Sequence, residues 1–290
     1  MLLPILSPKQ SRLRRRPRYR FMRSGNVMDD TRMTRKFGKK VSIDQCADGF
    51  LVLLDGQKVR TPGHADLLVP TRRMAELIAE EWRKQGPRVM LSSMPVTRSA
   101  YTAIDVVRPH RDKFVSDLAA YGSNDLVCYR VETPYQLRLR QDAGWNPLVD
   151  WIGTAFGVSL TVTEGISHVA QPAATLRILS AEVAGQDNFG LTALHDLVVL
   201  SGSLVVALAV IHRFRTGQEA WKLSRIDEDW QIEHWGDDLD ARMASDERQT
   251  AFLHAAVFHA LSRRASWGGQ EAGLGHPVST STAPRTNGRG

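Results

Sequence analysis

The sequence has only two cysteines, and this scarcity argues against any framework that depends on cysteine. Cys46 and Cys128 lie far apart and show no metal-ligand spacing. A disulfide-stapled fold is therefore disfavoured, and a reducing compartment is predicted. Both side chains are predicted to be small buried apolar groups.

Several motifs that signal catalysis are also missing. The chain contains no GxxxxGK[ST] phosphate loop, no GxGxxG following a strand, no HExxH and no GxSxG elbow. The scattered histidines and the Ser201/Ser203 pair lack partners in local sequence, so core or surface roles are favoured over ligation or nucleophilic catalysis. No catalytic residue, cofactor or metal is predicted.

The chain lacks an apolar run long enough to cross a membrane. The longest, residues 197–211, has about 15 residues, whereas a spanning helix needs roughly 20. It is predicted to be a buried helix that bends at Ser201-Gly202-Ser203.

Acidic residues are scarce only at the start of the chain. Residues 1–40 contain 13 Lys or Arg and 2 acids, although the whole chain carries a formal charge of +7. The remainder is therefore mildly acidic. Residues 1–36 form a basic leader, expected to be disordered, with three open interpretations: a phosphate-binding arm, a targeting leader, or an extension from an upstream start codon.

The residues after the leader show strand periodicity followed by helix signals. Strands are predicted at 41–46, 50–54, 57–61 and 67–69, with a hairpin turn at Asp55-Gly56. Thr71 is predicted to cap a helix whose apolar face closes at Trp82. Residues 95–122 are predicted to be largely helical, and 126–130 to return as a strand.

The second half is predicted to be mainly helical. Helices are expected at 135–156, 173–186, 190–215, 217–226, 228–244 and 247–264, with an extended piece at 159–162. The fold class is therefore α+β: a small N-terminal β-meander and helix domain at 37–133, and a mainly α-helical C-terminal domain at 134–265. Residues 266–290 are predicted to be a disordered tail.

The most unusual segment is WKLSRIDEDWQIEHWGDDLD, residues 221–240, with three tryptophans and seven carboxylates. As one helix it would place Ile232, Trp235, Leu239 and Met243 on an apolar stripe beside an acidic stripe of Asp229, Glu233, Asp237 and Asp240. Like charges at this spacing destabilise an isolated helix by about 0.2–0.5 kcal/mol per pair, and no Lys or Arg follows Arg225 in the segment, so the acidic stripe is expected to be unneutralised. A binding surface is one reason for a chain to carry such a stripe.

Short matching segments in order along the chain resemble the assembly chaperone family of the F-type ATP synthase alpha subunit. The resemblance covers roughly residues 36–264. Its segments are Asp55-Gly56, Arg60-Thr61-Pro62, Leu68-Val69-Pro70-Thr71, Glu81-Trp82, Gln85-Gly86, Met94-Pro95, Thr97-Arg98, Ala103-Ile104-Asp105, Asp125-Leu126, Cys128-Tyr129-Arg130, Trp145 with Pro147, Asp150-Trp151, Gln171-Pro172, Gly202-Ser203-Leu204, Leu223-Ser224-Arg225, residues 227–233 and Trp235-Gly236.

The resemblance implies a chaperone without enzymatic activity that holds the free alpha subunit until the beta subunit replaces it. It implies no cofactor, no nucleic acid partner and no membrane insertion, and a monomer in the bacterial cytoplasm is expected, with the mitochondrial matrix as the alternative. The family's acidic region corresponds here to a partner-binding set: Asp227, Glu228, Asp229, Trp230, Glu233, Trp235, Asp237 and Asp238.

Two other functions remain open from the residues themselves. The carboxylates of residues 227–240 could hold a divalent metal in an enzyme, although they lack the DxDxDG pattern of a calcium loop. The basic leader could bind RNA, in which case the affinity would depend steeply on salt.

Overall fold

The computed structural model describes residues 40–263, so the predictions for the leader and the tail lie outside the described residues. The chain begins with a small antiparallel sheet in which the second strand is central. Its strands are β1 (Val41–Cys46), β2 (Gly49–Leu54), β3 (Gln57–Lys58) and β4 (Leu68–Val69), with β1, β3 and β4 each pairing β2. The predicted meander is confirmed, although the last two strands are shorter than expected.

The hairpin between β2 and β3 turns at Asp55-Gly56, as predicted. Both residues have positive φ, 48° and 82°, the combination that a two-residue type I′ turn requires. One expectation for this sheet is wrong: Cys46 ends β1 as an exposed residue. Cys128 is buried as predicted, and burial raises its pKa to about 12, so it remains a thiol.

The first helix, α1 (Arg72–Arg83), covers the sheet. Thr71 caps it, because its hydroxyl accepts a hydrogen bond from the Met74 N–H at 3.2 Å. Trp82 closes the buried face and is 6% exposed. Its cluster also contains core residues of β2 and β4, so α1 is held by apolar contact with the sheet.

Residues 95–123 form a nearly continuous helical run, as predicted. It contains α2 (Pro95–Thr102), a π-helical segment (Ala103–Val107), a short 3₁₀ turn, α3 (Arg111–Ala119) and a second 3₁₀ turn. The Glu81 carboxylate caps the start of α2 by accepting bonds from the Val96 and Thr97 N–H groups at 2.8 Å each. Burial raises the pKa of Glu81, against the effect of these bonds.

The remaining elements are almost all helical, as the sequence predicts. They are β5 (Tyr129–Arg130), α4 (Tyr135–Phe156), β6 (Thr163–Glu164), α5 (Ala173–Ala184), α6 (Asn188–Ser201), α7 (Leu204–Ile211), α8 (Gly217–Ser224), α9 (Ile226–Trp235) and α10 (Leu239–Ser262).

Three boundaries differ from the sequence predictions for residues 126–130, 159–162 and 190–215. The first segment forms a strand only at β5, because its beginning is a 3₁₀ turn, and the extended piece lies later, at β6. The predicted helix at 190–215 is broken into α6 and α7. The break is at the expected place, where Gly202 adopts a left-handed conformation with φ 75°.

The start of α7 is held by a buried carboxylate. Asp125 is fully buried and accepts bonds from the Ser203 hydroxyl at 2.5 Å and from the backbone N–H groups of Val205 at 3.0 Å and Val127 at 3.2 Å. Burial raises the pKa of Asp125, while these bonds and the helix start favour the ionised form. Every residue of α7 is buried, so this carboxylate anchors the central helix of the second half.

The core consists of two apolar clusters. One lies between the sheet, α1 and α2, and the other lies among α4 to α8 and α10. Phe258 and Leu261, near the end of α10, join the first cluster, so this helix connects both. The predicted domain boundary at residue 133 stays a prediction.

The predicted α+β class is confirmed by this arrangement. Within residues 40–263, no helix combines the length and apolar character that a membrane crossing needs.

We expect Asp125→Ala to lower the free energy of unfolding by at least about 3 kcal/mol, because it leaves several buried donors without a partner. Chemical denaturation measures the change. Asp117→Ala is the matched control, since its carboxylate forms an exposed pair with Lys113, and should change stability by at most about 1 kcal/mol. Equal losses in the two variants would contradict the role of Asp125.

We also expect stability to fall as the pH is lowered from about 6.5 to 4. His259 is buried beside Gln186, and its pKa is lowered to about 4 by burial first and then by Arg263, His212 and Arg213. The unfolded chain binds the proton first, so unfolding is favoured across this window, by up to about 3 kcal/mol. In His259→Gln the fall in unfolding free energy should be smaller; an equally steep fall would contradict this assignment.

Candidate protein-binding surface

The acidic segment forms two helices, so the predicted single helix at 228–244 is wrong. Helix α9 ends at Trp235, because Gly236 leaves the helical conformation with φ 84° and ψ 170°, and α10 begins at Leu239. The three acids in the first turn of α9 lie at the positive end of the helix dipole, and this attraction stabilises the helix. The apolar and acidic stripes are therefore each divided between two helices.

Helix α9 and the end of α8 lie against α4. The indole N–H of Trp145 donates to the Leu223 carbonyl at 2.8 Å, and the Gln141 side-chain amide donates to the Asp227 carboxylate at 2.7 Å. At Gly144 a Cβ atom would lie 2.5 Å from the Ile226 side chain, so glycine permits this close approach. The contacts run in opposite directions along the two segments, so α4 and α9 are antiparallel.

Arg140 on α4 makes two further contacts with α9. Its guanidinium lies over the Trp230 ring, 4.8 Å from the centroid, and pairs with the Glu233 carboxylate at 2.7 Å. Trp230 is 8% exposed and stacks on His234 at 4.0 Å. Trp230 therefore packs inside the protein and fixes α9 on α4.

Arginines from inside and outside the segment neutralise part of the acidic stripe, contrary to the sequence expectation. Arg225 pairs with Asp229 at 3.2 Å, and Arg242 pairs with Asp237 at 2.6 Å, besides the pair between Arg140 and Glu233. Of the four acids of the stripe, Asp229, Glu233 and Asp237 are therefore paired, and Asp240 is not paired within the described part of the chain. These pairs are partly exposed and screened by water, so each contributes little to stability.

The exposed apolar groups of the segment lie where α9 gives way to α10. Trp235 is 66% exposed, Leu239 68% and Met243 57%. Residues 239–244 are all exposed, so the first turns of α10 extend beyond the core. We call Trp235, Leu239 and Met243, with the adjacent carboxylates of Asp237, Asp238 and Asp240, the α9–α10 surface.

The structure separates the eight predicted partner-binding residues into two groups. Trp230 is buried and Asp227 is bonded to α4, so both position α9. The other six lie on or near the outer side: Glu228, Asp229, Glu233, Trp235, Asp237 and Asp238.

Sequence reasoning missed the residues of α4 that place this segment. Nothing in local sequence pairs Arg140 with Glu233, which lies 93 positions further along the chain. Tyr135 and Leu139 are spaced i, i+4 and so share one face of α4, a spacing visible in the sequence, and the structure leaves both exposed.

The carboxylates do not converge as a metal centre. Among residues 40–263, no three His, Cys, Asp or Glu side chains are arranged to hold a metal ion. The enzyme hypothesis therefore gains no support from this segment, and the RNA-binding hypothesis depends on a leader outside the described residues.

Comparison with known proteins assigns the family. A family model described as the ATP12 chaperone protein matches residues 35–153. The chain is 43% identical to the protein of a solved structure, Atp12 from Paracoccus denitrificans, over 79% of this chain and 99% of that chain, with a TM-score of 0.77. This chain belongs to the ATP12 chaperone family.

Two further matches, a mutant of the same bacterial protein and a fungal relative, agree with this assignment. An aspartate-to-lysine mutant of the Paracoccus denitrificans protein is 42% identical over 79% of this chain and 98% of that chain, with a TM-score of 0.78. Mitochondrial protein atp12 of Schizosaccharomyces pombe is 24% identical over 73% of this chain and 77% of its own length. ATP12 relatives thus occur in a bacterium and in a mitochondrion, and the predicted cytoplasmic location stays a prediction.

Proposed function

We propose that this ATP12 family member is an ATP synthase assembly chaperone that binds the free alpha subunit of the F-type enzyme. The α9–α10 surface would shield the alpha subunit until the beta subunit takes its place. The observation that supports this most is the exposure of Trp235, Leu239 and Met243 where α9, which packs on α4, ends and α10 begins.

The exposed apolar groups suit a partner that buries its own apolar interface later. Subunits of permanent complexes associate through large and hydrophobic interfaces, which aggregate when they are left uncovered. Tryptophan and methionine are enriched where proteins bind one another, and a tryptophan often dominates the binding energy. Trp235 is the expected anchor, because it is the most exposed of the three tryptophans in the segment and lies at the end of α9, which packs on α4.

The carboxylates around Trp235 suit reversible binding. Asp238 and Asp240 are exposed, and neither has an ion-pair partner among residues 40–263. Such charges speed association with a basic partner, and the attraction between them weakens as salt is added. A chaperone with this surface can bind quickly and still release its client to a larger apolar interface.

Trp235→Ser should weaken alpha-subunit binding by about tenfold or more while leaving the melting temperature unchanged, because the side chain is exposed. Affinity is measured with purified alpha subunit, alongside suppression of its aggregation by light scattering. Val257→Ser is the control, since Val257 is 52% exposed near the other end of α10. Normal binding by Trp235→Ser, or an equal loss of affinity in both variants, would contradict binding at the α9–α10 surface.

Glu233→Lys tests whether the acidic side of α9, next to the α9–α10 surface, also contributes to binding. It replaces the pair with Arg140 by two like charges, so we expect a stability loss of about 1 kcal/mol or less together with weakened alpha-subunit binding. Glu76→Lys is the matched control, because Glu76 forms a comparably exposed pair with Arg72 on α1.

The control should bind as the parent protein does. A large fall in the melting temperature of Glu233→Lys would show a structural role for Glu233. Binding equal to that of Glu76→Lys would show that Glu233 takes no part in binding the alpha subunit.

A further inference from the structure

A second group of exposed apolar residues lies beside the α9–α10 surface. Tyr135 is 66% exposed and Leu139 49%, one turn apart on α4, while Val162 is 40% and Ile166 78% exposed on either side of β6. Soluble monomers rarely gather large apolar side chains on one face without a reason. We call these four residues the β6 edge surface.

Ion pairs bring the two halves of this surface together. Arg138, between Tyr135 and Leu139, pairs with the Glu164 carboxylate of β6 at 2.6 Å. Asp142 pairs with Arg138 at 2.9 Å and also with buried Arg130 of β5 at 2.9 Å. The first turns of α4 and strand β6 are therefore fixed side by side.

The surface continues towards Trp235. Since α4 and α9 are antiparallel, Tyr135 and Leu139 lie at the end of α4 that meets the end of α9, where Trp235 projects. The two surfaces together contain seven of the ten exposed large apolar residues described in the chain.

Strand β6 has an open edge. It pairs in parallel with β5 alone, in the register Arg130 to Glu164, and no other strand among the described residues joins that sheet. The Gly165 N–H donates to the Arg130 carbonyl at 2.8 Å, so the ladder uses the residues flanking Glu164. The backbone N–H and C=O of Glu164 consequently face away from β5, and the C=O accepts a long hydrogen bond from the neighbouring Thr163 hydroxyl at 3.4 Å, which an added strand would replace.

An open strand edge selects an extended partner, because a new strand pairs with the free backbone groups. The negative charge at this edge also determines which kind of segment can bind. Glu164 is exposed, and the Glu132 carboxylate lies over Gly165, where an added Cβ would come within 2.9 Å of it. Arg138 balances only one of these two carboxylates, so the edge favours a segment that carries Lys or Arg.

We propose that the β6 edge surface binds an extended apolar segment of the same client, flanked by basic residues, as a strand added to β6. The inference rests on the proposed function. The α9–α10 surface then anchors the client by side chains, and the β6 edge surface holds a neighbouring segment through its backbone. Val162 and Ile166 would contact alternate side chains of that segment.

The double variant Val162→Ser/Ile166→Ser tests the surface with purified alpha subunit. Both side chains are exposed, so the melting temperature should not change, and affinity should fall about tenfold. Ile178→Ser, 38% exposed on α5, is the control and should bind as the parent does. An affinity of the double variant within twofold of the parent would overturn the inference, whereas a parent that fails to bind alpha subunit at all would overturn the proposed function.

Hydrogen exchange of the parent protein tests the strand itself. The Glu164 amide should exchange at least about tenfold more slowly in the complex, because it donates to the added strand. Unchanged exchange at Glu164 in a complex that the double variant weakens would overturn strand addition, since it would show contact through side chains alone.

Discussion

The carboxylate of Asp125 lies where three segments of the backbone meet. They are the 3₁₀ turn before β5, the break after α6 and the first turn of α7. It accepts bonds from Ser203, Val205 and Val127 in a site without solvent. An unpaired carboxylate at that depth would be strongly destabilising, so all its donors must be in place together. This requirement fixes the position of α7, around which α4, α6, α8 and α10 pack.

Other charged side chains likewise join separate segments of the chain through hydrogen bonds. Glu81 caps α2, and Asp105 accepts bonds from the Thr61 hydroxyl at 2.7 Å and the Gly63 N–H at 2.8 Å, tying the loop after β3 to the helical run. Further on, Arg130 is held by Asp142 and Asn146 against the Trp145 ring. Arg130 and its partners tie β5 to α4, and α4 in turn positions α9.

The sequence predicts well what depends on local periodicity and turn chemistry. Asp55-Gly56 identifies the hairpin, Thr71 the start of α1, and the apolar spacing up to Trp82 its buried face. Residues of the family resemblance such as Asp125 and Ser203 are visible in the sequence, but their bond is not, because 78 positions separate them. The helix at 228–244 fails for a different reason: glycine is tolerated inside helices, and only the backbone at Gly236 shows that it ends one.

The sequence singles out the candidate segment but not the arrangement of its side chains, and the role of the segment in binding stays a prediction. The concentration of acids and tryptophans distinguishes the segment from the rest of the chain, yet composition could not show that Trp230 packs inward while Trp235 points outward. That distinction depends on Arg140 and His234 covering the Trp230 ring, a tertiary contact. Likewise, the acids could not be known to pair with Arg140 and Arg242 until the helices were placed.

Site-specific photo-cross-linking tests most directly whether the α9–α10 surface receives the client. A photoreactive amino acid would be introduced at position 239 or 243, and at positions 90 and 257 as exposed controls. Irradiation with purified alpha subunit should give cross-links from 239 and 243 and few from the controls, and excess beta subunit should abolish them. Cross-links from position 90 or 257 with none from 239 or 243 would contradict the account.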